Sequence, residues 1–188
     1  MKEAFVSIIG RPNVGKSTLF NKFLGKRKSI VDSQEGVTRD RIYGKMIWCG
    51  YTLNFIDTGG YIPKDLDIFN SEVRKQAIEA ISESNLVIFM VDGQQGITST
   101  DRNLAKTILT SEKPYIFVVN KCDILDKDNQ IYQFHELGLD NPFPLSALNG
   151  RNSGDLLDLI VKKMNLRLPV IINKKKESLK LAIVGMPN

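Results

Sequence analysis

The 188-residue sequence predicts a three-layer α/β fold built on a mostly parallel sheet. Two observations carry this. Phe5–Ile9, Leu86–Val91 and Tyr115–Val119 are nearly continuous apolar runs, the pattern of parallel strands covered on both faces. Between them lie apolar stripes at helical spacing, so strand and helix alternate along the chain. Each run ends after 5 or 6 residues, far short of the ~20 that a membrane-spanning helix needs.

In chain order, Phe5–Ile9 is the first strand. Leu19, Phe20, Phe23 and Leu24 follow at helical spacing and stop at Gly25, a candidate C-terminal cap. Ile42–Trp48 and Tyr51–Ile56 are joined only by Cys49-Gly50, and the second of them alternates. Such a short connection predicts an antiparallel hairpin on the sheet edge. Val73, Ala77, Ile78 and Ile81 mark a helix before Leu86–Val91; Leu104, Ile108 and Leu109 mark another before Tyr115–Val119. Phe143–Leu145 is the sixth strand, and Leu156, Leu157, Ile160, Val161 and Met164 form the last stripe. Each stripe is expected to pack into the core. Residues 1–164 thus form one domain on a six-stranded sheet.

Composition narrows the class. Apolar residues make up 42% and charged residues 25%, values that exclude a disordered chain. The start Met1-Lys2-Glu3 does not read as a signal peptide. Two cysteines, Cys49 and Cys122, give neither a disulfide framework nor metal-ligand spacing and read as structural, which fits a reducing cytoplasm and no membrane. A net charge of +5 is a mild hint of an acidic partner such as RNA. His135 has no cysteine or histidine partner in its polar helix, so it is not expected to bind metal.

Gly10-Arg11-Pro12-Asn13-Val14-Gly15-Lys16-Ser17 fits Gly-x4-Gly-Lys-Ser/Thr, directly after a strand and opening a helix. Its glycines let successive N–H groups, Thr18 included, turn inward around phosphates at the positive end of that helix. Lys16 can reach the β- and γ-phosphates, and Ser17 can place its hydroxyl on Mg²⁺. This makes the domain a P-loop NTPase. Asp57-Thr58-Gly59-Gly60 stands at the end of the strand Leu53–Ile56, where a Mg²⁺-linked carboxylate belongs, and Gly60 can offer its N–H to a γ-phosphate.

Asn120-Lys121-Cys122-Asp123 follows the strand Tyr115–Val119. A buried Asp123 can accept two hydrogen bonds from the N1–H and N2–H₂ edge of guanine, which adenine does not offer; this favours GTP and GDP over ATP. Lys121 can lay its stem along the base, and Asn120 can tie the loop back to the phosphate loop. Ser146-Ala147-Leu148 would bring a backbone N–H to guanine O6.

Together with Gly36-Val37-Thr38-Arg39-Asp40 and Ser146-Ala147-Leu148-Asn149-Gly150, these motifs resemble the Era/EngA branch of translation-associated GTPases. A further feature sharpens the likeness. Residues 165–178, with Pro169 and the run Lys174-Lys175-Lys176-Glu177, read as a linker. Leu181-Ala182-Ile183-Val184-Gly185-Met186-Pro187-Asn188 then repeats the pattern Val6-Ser7-Ile8-Ile9-Gly10-Arg11-Pro12-Asn13. Residues 179–188 are therefore expected to be the truncated first strand of a second copy, with the chain cut at Asn188. That arrangement is similar to EngA, also called Der, whose members carry two consecutive GTPase domains and a KH-like domain.

The resemblance implies a Ras-like G domain, a cytoplasmic GTPase, and a role in assembly of the large ribosomal subunit or on its rRNA. It makes Thr38 the switch threonine that joins Ser17 and Asp57 on Mg²⁺, and it assigns catalysis to Lys16, Asn13, Thr38 and Gly60. Position 61 holds Tyr61 where many GTPases place a water-orienting Gln. Asn13 becomes a candidate ligand for K⁺ beside the phosphates, by likeness to potassium-stimulated relatives. Three alternatives stay open: an Era-type GTPase, a tRNA-modification-type GTPase, and a regulatory domain that holds nucleotide with little turnover. Lys26-Arg27-Lys28, Arg39 and Arg41 form a basic stretch near the first switch, for which a solvated face is the simpler reading and RNA contact the other.

Overall fold

The fold is described from a computed structural model, whose described residues are 5–25, 42–58 and 66–165. Thr38, Gly59, Gly60, Tyr61, the basic stretch 26–28, 39 and 41, and residues 166–188 with the repeat all lie outside them. The described elements run β1 (Phe5–Ile9), α1 (Lys16–Leu24), β2 (Ile42–Trp48), β3 (Tyr51–Asp57), α2 (Leu66–Glu83), β4 (Leu86–Asp92), α3 (Ser99–Thr110), β5 (Tyr115–Asn120), a 3₁₀ segment (Leu125–Leu137), β6 (Phe143–Pro144) and α4 (Ser153–Lys163).

Six strands form one sheet in the order β2-β3-β1-β4-β5-β6. Only β2 and β3 pair antiparallel; every other neighbouring pair is parallel. The hairpin turn explains how so short a connection works. Cys49 and Gly50 take φ of 48° and 84°, the left-handed pair whose twist matches that of the flanking strands. Cys49 is exposed in that turn rather than part of the packed interior.

Alternation along the central strands feeds two cores. Val6, Ile8, Ile88 and Met90 meet α1 and α4 on one face, where Phe23 and Phe55 pack with centroids 5.0 Å apart. Ile9, Val87, Phe89 and Val91 meet α2, α3 and the 3₁₀ segment on the other, where Phe89 stacks on Phe117 at 5.6 Å. Two apolar faces explain why these strands read as continuous apolar runs.

Three expectations change in detail. Ile78 and Leu109 belong to the stripes but are 47% and 44% exposed; each sits beside its helix's buried line rather than on it. Gly25 does cap α1, its N–H donating to the Asn21 carbonyl at 2.7 Å, but in right-handed conformation with φ of −71°. That conformation does not call for glycine, but a Cβ at this position would lie 2.9 Å from the Asn21 carbonyl oxygen. β6 is only Phe143–Pro144, because Leu145 already bends into the following loop while its N–H still bonds Val119.

Candidate phosphate and base site

The register fixes where the motifs meet. Ile8 pairs with Asp57, Ile9 with Phe89, and Asp92 with Asn120. The carboxyl ends of β1, β3, β4 and β5 therefore lie along one edge of the sheet, where doubly wound folds bind ligands.

At that edge Gly10–Gly15 turns sharply from β1 into α1. Asn13 takes a φ of 63° and Gly15 a φ of 100°. Gly15 is required twice over: its conformation is left-handed, and a Cβ there would lie 2.3 Å from Asn120 Nδ2. Beside this turn lies a cavity of about 510 Å³ whose lining includes Gly10, Asn13, Lys16, Ser17, Thr58 and Lys121. Val73, Gln76 and Ala77 of α2 close its far side, residues that the motifs alone did not indicate.

Lys16 is buried, with its Nζ donating to the Arg11 carbonyl at 3.0 Å. Burial pulls its pKa down from 10.5 to about 8, a fall that the Asp57 carboxylate partly opposes and the Arg11 charge adds to. Ser17 and Thr18 are exposed at the start of α1, and Asp57 is fully buried at the end of β3. A hydroxyl and a carboxylate are the hard oxygen donors that Mg²⁺ takes, so Ser17 and Asp57 fit that ion. Thr58 lines the cavity, but its hydroxyl is committed to the Ile8 carbonyl at 2.8 Å. The side chains of Arg11 and Val14 point elsewhere, which leaves their main chains for the expected phosphate loop. The Arg11 guanidinium turns to Asp101 Oδ2 at 3.2 Å, and the Val14 side chain lies in the core.

The loops that follow β5 and β6, expected from the sequence to meet a base, are cross-braced. Asn120 Nδ2 donates to the Val14 carbonyl at 2.7 Å, and Asn120 Oδ1 accepts from the Ala147 N–H at 2.9 Å. Ser146 is buried and donates to Asp123 Oδ1 at 2.6 Å. Asp123 is exposed rather than buried. The expected guanine preference would therefore need a base to cover this carboxylate. Because the Ala147 N–H is taken by Asn120, the loop's main-chain donor without a hydrogen bond among the described residues is that of Leu148. Cys122 presents no side chain to a ligand; its Sγ lies in the core and approaches the Val119 carbonyl at 3.3 Å.

Two fully buried carboxylates at this edge escaped the motif reading. Asp92 Oδ2 meets Lys121 Nζ at 2.6 Å, and Asp92 Oδ1 accepts from the Gln94 and Gln95 N–H groups at 2.8 and 3.2 Å. Asp101 Oδ2 accepts from the Thr98 N–H and hydroxyl and from Arg11. A signal for each was available: Asp92 directly follows the apolar run Leu86–Val91 and closes β4, and Thr98-x-x-Asp101 is a capping-box pattern. His135 is exposed and stacks on Tyr132 at 6.0 Å, and no three His, Cys, Asp or Glu gather into a metal site among the described residues.

The chain matches the model of the 50S ribosome-binding GTPase family over residues 5–121. It is 48% identical to GTPase Der of Caldicellulosiruptor saccharolyticus over 184 residues, which is 97% of this chain and 41% of that protein. Against GTPase Der of Clostridium kluyveri it is 45% identical over 188 residues, covering 100% of this chain and 42% of the relative. The chain thus spans about two fifths of the length of the curated relatives it matches. Among solved structures, Aquifex aeolicus Era bound to GDP and AlF4⁻ is 32% identical with a TM-score of 0.70, over 93% of this chain and 61% of that one. Era in complex with MgGDPNP and a segment of 16S ribosomal RNA gives the same values.

Proposed function

Since this chain belongs to the 50S ribosome-binding GTPase family, we propose that its residues 1–164 bind GTP and GDP and hydrolyse GTP as a nucleotide-dependent switch. The observation that carries this reading is Asn120, whose side chain links the guanine-reading loop to the phosphate loop beside the cavity.

In this reading the phosphates lie along the N–H groups of residues 10–18, at the positive end of α1. Lys16 leaves the Arg11 carbonyl for the β- and γ-phosphates, where its charge offsets what builds up on the bridging oxygen as the bond breaks. Ser17, Asp57 and Thr38 would hold Mg²⁺, which neutralises phosphate charge. Thr38 and Gly60 orient the attacking water and sense the γ-phosphate through their main chains. Asp123, steadied by Ser146, reads N1–H and N2–H₂ of guanine; Lys121 covers the base, and a main-chain N–H of residues 146–148 meets O6.

Asp123→Asn tests the base assignment. It should weaken GTP binding about 10- to 100-fold without improving ATP binding, because a donor then faces the guanine N–H edge. Equal GTP binding by variant and wild type would remove the guanine reading.

Tyr61 supports a second reading, a domain that holds nucleotide and turns over little, since no Gln follows Asp57-x-x-Gly60 to orient water. Single-turnover hydrolysis separates the two. Asn13, which lines the cavity, is proposed to help seat K⁺ in place of that Gln. Turnover in KCl should exceed turnover in NaCl at equal ionic strength, and equal rates would dismiss the role.

The family description supports action on the large ribosomal subunit, and the Era neighbour, bound to a segment of 16S ribosomal RNA, supports contact with ribosomal RNA in general rather than with that subunit. That action would need a second G domain and a KH-like domain in cis, for which the terminal repeat and the partial coverage of relatives are the support. A second Gly-Lys-Ser/Thr encoded shortly after Asn188 would agree; a stop codon would not. The setting proposed is cytoplasmic, and no helix among the described residues is long and apolar enough to cross a membrane.

A further inference from the structure

We propose that Asp92 is a positioning residue for guanine-nucleotide binding, holding the Lys121 ammonium so that the base-reading and phosphate loops share one register through the β4–α3 loop. The proposal rests on the guanine-nucleotide reading above and adds a residue that touches no nucleotide in it.

Three observations converge. The Asp92 side chain is fully buried and the Lys121 side chain only 32% exposed, with 2.6 Å between the charges. A buried carboxylate is kept only when it is paired and hydrogen-bonded, and here both oxygens are used. Lys121 takes a φ of 67°, a strained conformation for a residue with a side chain, which the surroundings must hold in place. Its own carbonyl reaches Gln94 Nε2 only at 3.5 Å, so the Asp92 bond is the strong restraint.

The third observation is continuity. Gln95, whose N–H bonds Asp92, accepts from Arg11 Nη1 at 2.8 Å through its side chain. The Arg11 carbonyl in turn holds Lys16 Nζ at 3.0 Å. A hydrogen-bonded path therefore runs Lys121–Asp92–Gln95–Arg11–Lys16, from the lysine of the base to the lysine of the phosphates. Gly93 fastens the same loop to β5, its N–H donating to the Asn120 carbonyl at 2.8 Å. Ordering these groups before the ligand arrives removes an entropic penalty from binding.

The test uses a fluorescent GDP and the whole chain. Asp92→Asn keeps the shape and the oxygen facing Gln94 and Gln95 but removes the charge that holds Lys121. It should raise Kd about 10- to 100-fold. Lys121→Met keeps the aliphatic stem and removes the ammonium. If Asp92 acts through Lys121, the double variant binds within about twofold of Lys121→Met alone. Wild-type affinity in Asp92→Asn, or losses that multiply in the double variant, would overturn the proposal.

Hydrogen exchange on the unaltered protein is independent of how the variants fold. GDP should slow exchange at the Gln94 and Gln95 amides, which lie outside the cavity lining, and unchanged exchange in a protein that has bound GDP counts against the path. A wild-type chain that takes up no guanine nucleotide would instead remove the underlying reading, and this proposal with it.

Discussion

The side chain of Asn120 donates to the main-chain carbonyl of Val14 across 2.7 Å, although 106 residues separate them in sequence. One amide group thus fastens the end of β5 to the middle of the phosphate loop, while its oxygen takes the Ala147 N–H. Both protein partners are backbone groups, so the bonds do not depend on the neighbours' side chains. Geometry alone makes the three loops one unit.

Asn120→Ala should therefore destabilise the fold as well as weaken binding. It leaves a buried carbonyl and a buried N–H unsatisfied, each worth about 1–3 kcal/mol. A fall in Tm of roughly 5–15 °C is expected for a chain of this size. Differential scanning calorimetry of the nucleotide-free protein checks it, and a Tm within a degree of wild type would refute the bracing role.

Nucleotide binding should take up a proton at alkaline pH. Burial puts the Lys16 pKa at about 8 in the nucleotide-free protein, and phosphates beside the ammonium would raise it. Below about pH 8 the lysine is already charged and no uptake is needed; above it, affinity falls with rising pH while uptake grows. Titration calorimetry in two buffers of different ionisation enthalpy, near pH 7 and near pH 9, measures the difference. The same depressed pKa makes the nucleotide-free fold gain stability from this group as pH rises from about 8 toward 10.5, because the unfolded lysine binds the proton more tightly.

Thr98→Ala removes the cap of α3. The Thr98 hydroxyl accepts from the Asp101 N–H at 3.3 Å and donates to Asp101 Oδ2 at 2.8 Å. A loss of about 1 kcal/mol is expected, a Tm lower by roughly 2–4 °C. The Arg11–Asp101 pair should persist, because the guanidinium bond does not pass through Thr98, so nucleotide affinity should change far less than stability.

Asp92 should contribute to acid stability. Burial alone would raise its carboxyl, but the Lys121 bond and the two N–H groups outweigh it, leaving the pKa below the ordinary 3.8. A carboxylate depressed in the folded state adds stability that is present above about pH 4 and lost as pH falls through the folded pKa. Urea unfolding of wild type and Asp92→Asn should give a constant stability difference above about pH 4 and a shrinking one below. A difference that does not change down to about pH 2 would contradict it.

Much of this architecture was legible in the linear sequence because its determinants are local. Continuous apolar runs gave the parallel strands, Cys49-Gly50 gave the hairpin, and Gly10 to Ser17 gave the strand–loop–helix unit. Burial was harder to read. Ile78 and Leu109 fit the helical stripes yet lie at the edge of the buried face, since a period of 3.6 does not say how wide that face is. Asp123 follows a buried strand but stands exposed, because loop burial depends on what covers it.

The sequence by itself determined which chemical groups are present and which strand ends carry them, since side-chain type and periodicity are properties of neighbouring residues. Only the tertiary structure decided the sheet order that brings β1, β3, β4 and β5 to a common edge, and with it the partners of Asn120, Asp92 and Arg11. The Asp92–Lys121, Arg11–Gln95, Arg11–Asp101 and Asn120–Val14 pairings span from 29 to 106 residues. No periodicity reaches that far; the requirement that buried polar groups be paired selects them only once the chain has closed.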